Sequence, residues 1–556
     1  MVRRVSGIRA LVCVAALMGA TGARAEVTAA AFAPITSGVI AEAVSVAQAR
    51  ARAAAFRQAV AEAAAGDRAL AEYYRETGYA PLWTGEGAQD RARRAAVLRA
   101  LGRAGLHGLP VSRYDLPDLR ARLGDIRSLR DLAEAEVALS RAYLAYARDL
   151  QGGVLVPSRV DSAIKREVAR RTAADLLGEM RAGAPRTVLR GLAPQSNEYR
   201  RLLREKLRLE EVIASGGWGA PVRAARLEPG ARGVAVLALR DRLVAMGYLA
   251  RSAAASYDGA IQAAVQAFQR DHGLEPDGIA GSGTLAALNT PPEERLRAIL
   301  VALERERWLP AERGARHVLV NLADFSARII DHGRVTFETR AVVGKNTGGR
   351  RSPEFSDEME HMIVNPTWHV PRSITVKEYL PKMQANRNAA GYLRLYDSRG
   401  REVPRSAVNF NAYSARSFPF ALKQPPSDSN ALGLVKFMFP NRWNIYLHDT
   451  PQKDLFAREK RDFSHGCIRL AQPFDFAYAL LAAQDADPKG RFQAALDSGR
   501  ETRIELETHV PVHLIYRTAI TRPGGGMEYR GDVYGRDARI WEALEQAGVR
   551  LAAQGS

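Results

Sequence analysis

The sequence predicts a multidomain α+β protein: a helical scaffold, a small three-helix module, and a β-rich domain that carries a long lid insertion. Three observations predict this. Segments rich in Ala, Leu, Arg and Glu with helical periodicity fill the chain as far as residue 226. Short apolar helices punctuated by glycine follow over 227–290, and the apolar period shifts towards 2 near residue 315. At 556 residues and 47% hydrophobic content the chain is too long for one ordinary domain and apolar enough to fill several cores.

Residues 1–25 read as a cleaved signal peptide. Arg3, Arg4 and Arg9 form a positive start, residues 10–21 an apolar stretch, and Ala23-Arg24-Ala25 a small-x-small cleavage site. The apolar run is well short of the roughly 20 residues that span a bilayer. No later segment is long and apolar enough to cross a membrane, so the mature protein is expected to be exported, soluble and periplasmic. Cys13 lies inside the signal, where Val12 rather than a small residue precedes it, against a lipoprotein reading. Cleavage therefore leaves Cys467 as a lone thiol in an oxidising compartment, where cysteines are usually paired. A lone thiol there is either reactive or an inert buried cysteine, and its neighbours must decide. The net charge is +19, and the four arginines of the signal bring the mature chain near +15. Such a surface favours polyanions, although much of the arginine is scattered over helical faces that solvent can cover. Nucleic acid is not expected as a partner, because the chain reads as exported and carries no recognition motif.

In chain order, 26–226 is the helical scaffold domain, with helices over 41–64 and 129–150 and turns at 83–87 and 152–157. It contains no catalytic constellation. Over 227–290, Gly247-Tyr248-Leu249, Tyr257-Asp258-Gly259, Phe268-Gln269, Gly273-Leu274 and Asp277-Gly278-Ile279 fall in order, with glycines at the helix ends. That order resembles the peptidoglycan-binding domain, a three-helix module of cell-wall enzymes. Thr290-Pro291-Pro292-Glu293 reads as a capped helix start. From about 315, Val318, Val320 and Leu322 alternate, and Asp331-His332-Gly333 reads as a hairpin turn before Val335, Phe337 and Thr339. The catalytic domain is expected over 291–505, with a strand at 443–447 and a polar, irregular lid at about 374–430. Residues 506–516 and 527–534 read as two closing strands of a C-terminal β-hairpin, and 506–556 as hairpin plus helix.

The chemistry concentrates in Asp462-Phe463-Ser464-His465-Gly466-Cys467-Ile468-Arg469-Leu470. A cysteine becomes a nucleophile when a base or positive groups hold its thiolate. His465 is two residues from Cys467, roughly 6.6 Å between α-carbons if extended, and so shares its face without pointing at it. His448 stands at the end of an alternating stretch, on the polar face with Asn444 and Tyr446, before the Asp449-Thr450-Pro451 turn. A base at one strand end can face a nucleophile on the next strand, which makes His448 the expected general base and His465 secondary. Gly466 lets backbone amides approach the substrate, so the N–H groups of Gly466 and Cys467 are expected to form an oxyanion hole. Arg469 is expected to lower the thiol pKa or hold a substrate carboxylate. Tyr446, Ser464, Trp443 and Trp368 are candidate substrate-binding residues, although aromatics in strands also fill cores.

His448, an interval of nineteen positions to Cys467, and Ser464-His465-Gly466-Cys467-Ile468-Arg469-Leu470 resemble the signature of the L,D-transpeptidase catalytic domain. The scaffold, the peptidoglycan-binding module and the lid resemble the large periplasmic branch of that family. The resemblance implies Cys467 as nucleophile, His448 as base, and His465 and Arg469 as pocket residues. The orienting third group is either the Asp449 side chain or a backbone carbonyl. It also implies acyl transfer on peptidoglycan tetrapeptide stems to form 3→3 cross-links, a role in cell-wall biogenesis and cell shape, capture by carbapenems, and no cofactor or metal. Water as acceptor would make the protein a hydrolase or carboxypeptidase. A lipoprotein lysine would make it a lipoprotein–peptidoglycan amidase, and a free D-amino acid is a further acceptor. From other classes, His448, Asp449, His465 and Cys467 are competent zinc ligands but lack an HExxH or CxxC pair. A non-catalytic cell-wall-binding protein would leave Cys467 inert.

Overall fold

In the computed structural model, residues 37–522 and 524–551 are described. The expected signal peptide, 1–25, lies outside them. The chain divides into two compact units, Met1–Phe56 and Arg57–Ser556. The described part of the first belongs to the helix Ser37–Ala64. Everything below concerns the second unit.

The scaffold region is helical, and a buried carboxylate organises it. Glu136, on the helix Leu129–Gly152, accepts the N–H groups of Leu82, Trp83 and Thr84 and the hydroxyls of Tyr74 and Thr84. That fully paired anion fixes the 82–84 turn against the helix. The module that follows has three helices, Val234–Ala245, Gly259–Asp271 and Ser282–Asn289, around a core that includes Leu239, Leu243, Ile261, Val265 and Phe268. Asp258 caps the middle helix by accepting the Ile261 N–H, and Gly247 and Gly273 turn the chain with φ of 81° and 66°.

The next helix, Pro292–Trp308, has Pro291 as its N-cap and no side-chain cap. Thr290, expected to cap it, instead donates its hydroxyl to Ala286 O of the preceding helix. Its last turns bury four consecutive charged residues, Glu304, Arg305, Glu306 and Arg307. Arg305 pairs with Glu354 and Asp537, Glu306 with Arg313 and Arg517, and Glu304 with Arg307. The apolar residues of this helix share a core with Tyr199 and Leu202 before it and Ile540 and Leu544 near the C-terminus.

The β-rich part is one nine-stranded sheet. Its strands are β1 (Arg316–Asn321), β2 (Ser326–Asp331), β3 (Arg334–Gly344), β4 (Phe355–Val364), β9 (Val435–Met438), β10 (Leu447–His448), β11 (Asp462–Ser464), β12 (Ile468–Leu470) and β13 (Thr502–Ile515). The order is β11-β3-β12-β10-β9-β4-β13-β1-β2, and a β2–β3 pairing closes the sheet on itself. The β2–β3 turn is His332-Gly333, both at positive φ (48° and 78°), the backbone that a two-residue hairpin favours. A second sheet, in the order β5-β8-β6-β7, comprises β5 (Trp368–His369), β6 (Arg394–Tyr396), β7 (Glu402–Val403) and β8 (Ala421–Gln424).

Three expectations are corrected. The segment 374–430 is ordered: besides the second sheet it holds a helical run, Arg372–Ile374, Thr375–Tyr379 and Leu380–Ala385, whose middle part is a π turn. Pro381 lacks the N–H that an α turn would use there. Leu380, Leu395, Val408, Phe410, Phe418 and Leu422 are buried and build its core. The strand expected over 443–447 shrinks to Leu447–His448. The Asn441 side chain accepts the N–H groups of Trp443 and Ile445, and Asn444 takes a φ of 55°, so the chain turns there. Finally, the boundary at 505/506 falls inside β13, which pairs with β4 and β1. The C-terminal hairpin is instead β14 (Ala519–Thr521) with β15 (Met527–Tyr529), followed by the helix Arg536–Gln546.

Candidate active site

Cys467 immediately precedes β12, which runs parallel to β10 with Leu447 opposite Ile468 and His448 opposite Arg469. Leu447 and Ile468 are fully buried in the core. Alternation turns Tyr446, His448, Cys467 and Arg469 to the other face. Cys467 thus faces Tyr446 directly and His448 on the diagonal. All four line one cavity of about 980 Å³, whose walls include Trp368, Trp443 and Ser464. His465, Glu378 and Arg350 reach the same cavity from the nucleophile loop, the helical run of the insertion and the segment after β3.

The His448 ring is oriented by a backbone carbonyl. His448 Nδ1 donates to Asp449 O at 2.5 Å, leaving Nε2 with its lone pair. The Asp449 carboxylate accepts the Leu434 and Thr450 N–H groups and pairs with Lys453, so it does not orient the ring. Burial, then the positive charge of Arg469, holds the His448 imidazole down at about 3. Burial also pushes the Cys467 thiol up to about 11, against the smaller opposing effects of Tyr446 and Arg469. The resting pair is therefore a neutral thiol and a neutral imidazole.

The thiol donates to Asn444 O at 3.6 Å, and Tyr446 opposes the upward push on its pKa. The Tyr446 ring stands edge-on to the His448 ring at 5.7 Å. A direct His448–Cys467 hydrogen bond is absent among the described residues. His465 turns away: its Nε2 bonds to Glu378 Oε1 at 2.7 Å, where Arg350 also pairs. Arg469 Nη1 donates to Gln452 Oε1 at 2.6 Å, while its Nε has no partner among the described residues.

The expected oxyanion hole is half altered. The Gly466 N–H is donated to Ser464 Oγ, whose own hydroxyl donates to Cys467 O. A hydroxyl two residues away captures the amide locally. The Cys467 N–H donates to no group among the described residues. Gly466 has a φ of 124°, so glycine is required there by its backbone. Trp368 and Trp443 line the cavity and also pack as core. Trp443 lies 4.6 Å from the Phe355 ring, and Trp368 meets Tyr379 edge-on at 6.2 Å. Glu378, Arg350 and Gln452 also line the cavity and carry no signal in the sequence, because each arrives through a turn or a distant element. Among the described residues, no three of His, Cys, Asp and Glu gather as metal ligands.

A half-buried cysteine beside a buried, carbonyl-oriented histidine, carried by two neighbouring inner strands of a closed sheet, is an arrangement able to support thiol acyl transfer. Residues 315–487 match the L,D-transpeptidase catalytic domain, 232–288 the "Putative peptidoglycan binding domain", and 68–207 the "Scaffold domain". The chain thus carries an L,D-transpeptidase catalytic domain joined to those two modules. A Haemophilus influenzae protein named "Putative L,D-transpeptidase" is 31% identical over 225 residues, which are 40% of this chain and 45% of that relative. Two L,D-transpeptidase crystal structures are also similar. That from Xylanimonas cellulosilytica covers 53% of this chain and 100% of its own at 19% identity and a TM-score of 0.16. That from Stackebrandtia nassauensis covers 55% and 99% at 15% identity and a TM-score of 0.21.

Proposed function

We propose that the protein is a peptidoglycan L,D-transpeptidase that forms 3→3 cross-links through a Cys467 thioester. The observation that carries the reading is the placement of Cys467 and His448 on adjacent parallel strands in one cavity, with His448 Nδ1 fixed on Asp449 O. Substrate is the tetrapeptide stem of peptidoglycan, in keeping with the matched wall-binding module. The thiol loses its proton towards His448 as sulfur attacks the carbonyl of the third stem residue. The C–N bond to the terminal D-alanine breaks, and the departing amine takes the proton. The side-chain amine of a diaminopimelate on another stem then attacks the thioester, the C–S bond breaks, and the thiol is restored. His448 serves as base and acid in turn, the Cys467 N–H faces the developing oxyanion, and Arg469 and His465 shape the pocket.

The substrate places the protein in the periplasm, exported by the 1–25 signal, and a carbapenem would acylate the same thiol. No helix among the described residues is long and apolar enough to cross a membrane. The test is product analysis after incubation with a disaccharide-tetrapeptide. A dimer with the mass of two substrates less one D-alanine supports cross-linking. A tripeptide alone means that water is the acceptor, and release of the lysine-bearing peptide from a separately supplied tripeptide–lysine conjugate, with no dimer from the tetrapeptide, means an amidase; either overturns the transpeptidase assignment.

A further inference from the structure

The peptide group between Gly466 and Cys467 is held by residues distant from the nucleophile motif. Ser352 is fully buried, and its hydroxyl donates to Gly466 O at 2.6 Å while accepting the Gly344 N–H at 2.9 Å. A trans peptide is planar, with its C=O and N–H pointing in opposite directions, and no cis bond occurs among the described residues. Fixing the Gly466 carbonyl therefore also fixes the direction of the Cys467 N–H. With the Gly466 N–H taken by Ser464, that amide is the backbone donor left at the nucleophile.

Ser352 is in turn fastened by the C-terminal segment. Arg536 Nη2 donates to Ser352 O at 2.8 Å. The Tyr534 hydroxyl accepts the Ser352 N–H at 3.4 Å and donates to Gly344 O at 2.5 Å. Arg536 and Tyr534 are buried, the guanidinium 4.8 Å from the Tyr534 ring centre. Glu354 balances the charge: one carboxylate oxygen binds Arg536 and the other Arg305. Tyr534 and Arg536 lie beyond residue 487, where the match to the catalytic domain ends.

We propose that Ser352, Tyr534 and Arg536 are positioning residues that aim the Cys467 N–H at the oxyanion without touching substrate, which makes the C-terminal segment part of the catalytic unit. This rests on the acyl-transfer reading of Cys467. Removing an oxyanion donor outright costs about a hundredfold to a thousandfold in kcat, so a misaimed one should cost about tenfold to a hundredfold.

The test compares two rates in the full chain and in Ser352→Ala, Ser352→Thr and Tyr534→Phe. Alkylation of Cys467 by iodoacetamide across pH needs the thiolate but no oxyanion donor; acyl transfer from the disaccharide-tetrapeptide needs both. Ser352→Ala should keep the alkylation profile and KM while losing about tenfold to a hundredfold in kcat, and Ser352→Thr should recover most of it. Unchanged kcat in Ser352→Ala overturns the inference. So does a parallel loss of alkylation, which would place the defect in the thiol or the fold. Should Ser352→Ala fail to fold by circular dichroism, Tyr534→Phe decides in the same way, and full kcat there overturns it. Absence of acyl transfer by the unmodified protein would instead sink the reading of Cys467.

Discussion

The imidazole of His448 is tied to the main chain of the residue that follows it: Nδ1 donates to the Asp449 carbonyl, while the Asp449 carboxylate faces Leu434, Thr450 and Lys453. Orientation of the His448 ring and anchoring of the turn are therefore separate duties of one residue. Asp449→Asn should keep kcat/KM within about tenfold of the unmodified protein while costing about 1–3 kcal/mol of stability through weakened charge-assisted bonds. His448→Ala should lose at least about a hundredfold in kcat. Steady-state kinetics beside thermal melts check this; an Asp449→Asn variant as inactive as His448→Ala would contradict it.

With the Cys467 thiol up at about 11 and the His448 imidazole down at about 3, no thiolate–imidazolium pair forms at rest. Alkylation of Cys467 should keep rising with pH towards about 11, with no plateau near neutrality. Tyr446→Phe removes the hydroxyl that lowers the thiol pKa, and should shift that rise further upward. A plateau centred near neutral pH would show a stable ion pair instead.

Stability should fall in acid. Burial depresses His448 and His272 to about 3 and His107 and His513 to about 4, against about 6.5 in an unfolded chain. The unfolded state therefore takes up protons first as pH falls. The stabilisation is complete above about pH 6.5 and is lost as pH drops through the folded values. Urea unfolding at about pH 7 and pH 4 measures it, and equal midpoints would contradict the assignment.

Glu378 joins the helical run of the insertion to the nucleophile loop through His465 and to Arg350. All three side chains are about one-third exposed, so the tie is worth only about 0.5–1 kcal/mol. Glu378→Gln should raise KM about two- to fivefold, with less effect on kcat. Substrate titrations read this directly.

Glu354 is buried between Arg305 and Arg536. Glu354→Ala leaves both cations without that partner and should destabilise the protein by about 3–5 kcal/mol, measured by denaturant unfolding. Loss below about 1 kcal/mol would mean that water or Asp537 compensates.

That Cys467 and His448 share one cavity was legible because their signal is local: a lone thiol after glycine, and a histidine closing an alternating stretch. The hairpin at His332-Gly333 was legible for the same reason. What the sequence hid depends on side chains that compete with regular structure or act at long range. Asn441 curls 443–446 out of the expected strand, and Ser464 takes the Gly466 amide. Glu304 to Arg307 are four charged residues in a row with no apolar signal, yet partners from distant segments bury them. Ser352 looks like an ordinary loop serine until the fold brings Gly466, Tyr534 and Arg536 around it.

The central claim is that Cys467 carries the acyl group. Intact-mass analysis of the protein and of Cys467→Ala, each mixed with a carbapenem or the disaccharide-tetrapeptide, tests it most directly. The account predicts one covalent adduct on the unmodified protein, mapped to Cys467 and missing from the variant. An adduct that persists in Cys467→Ala, or turnover of the tetrapeptide by that variant, would contradict it.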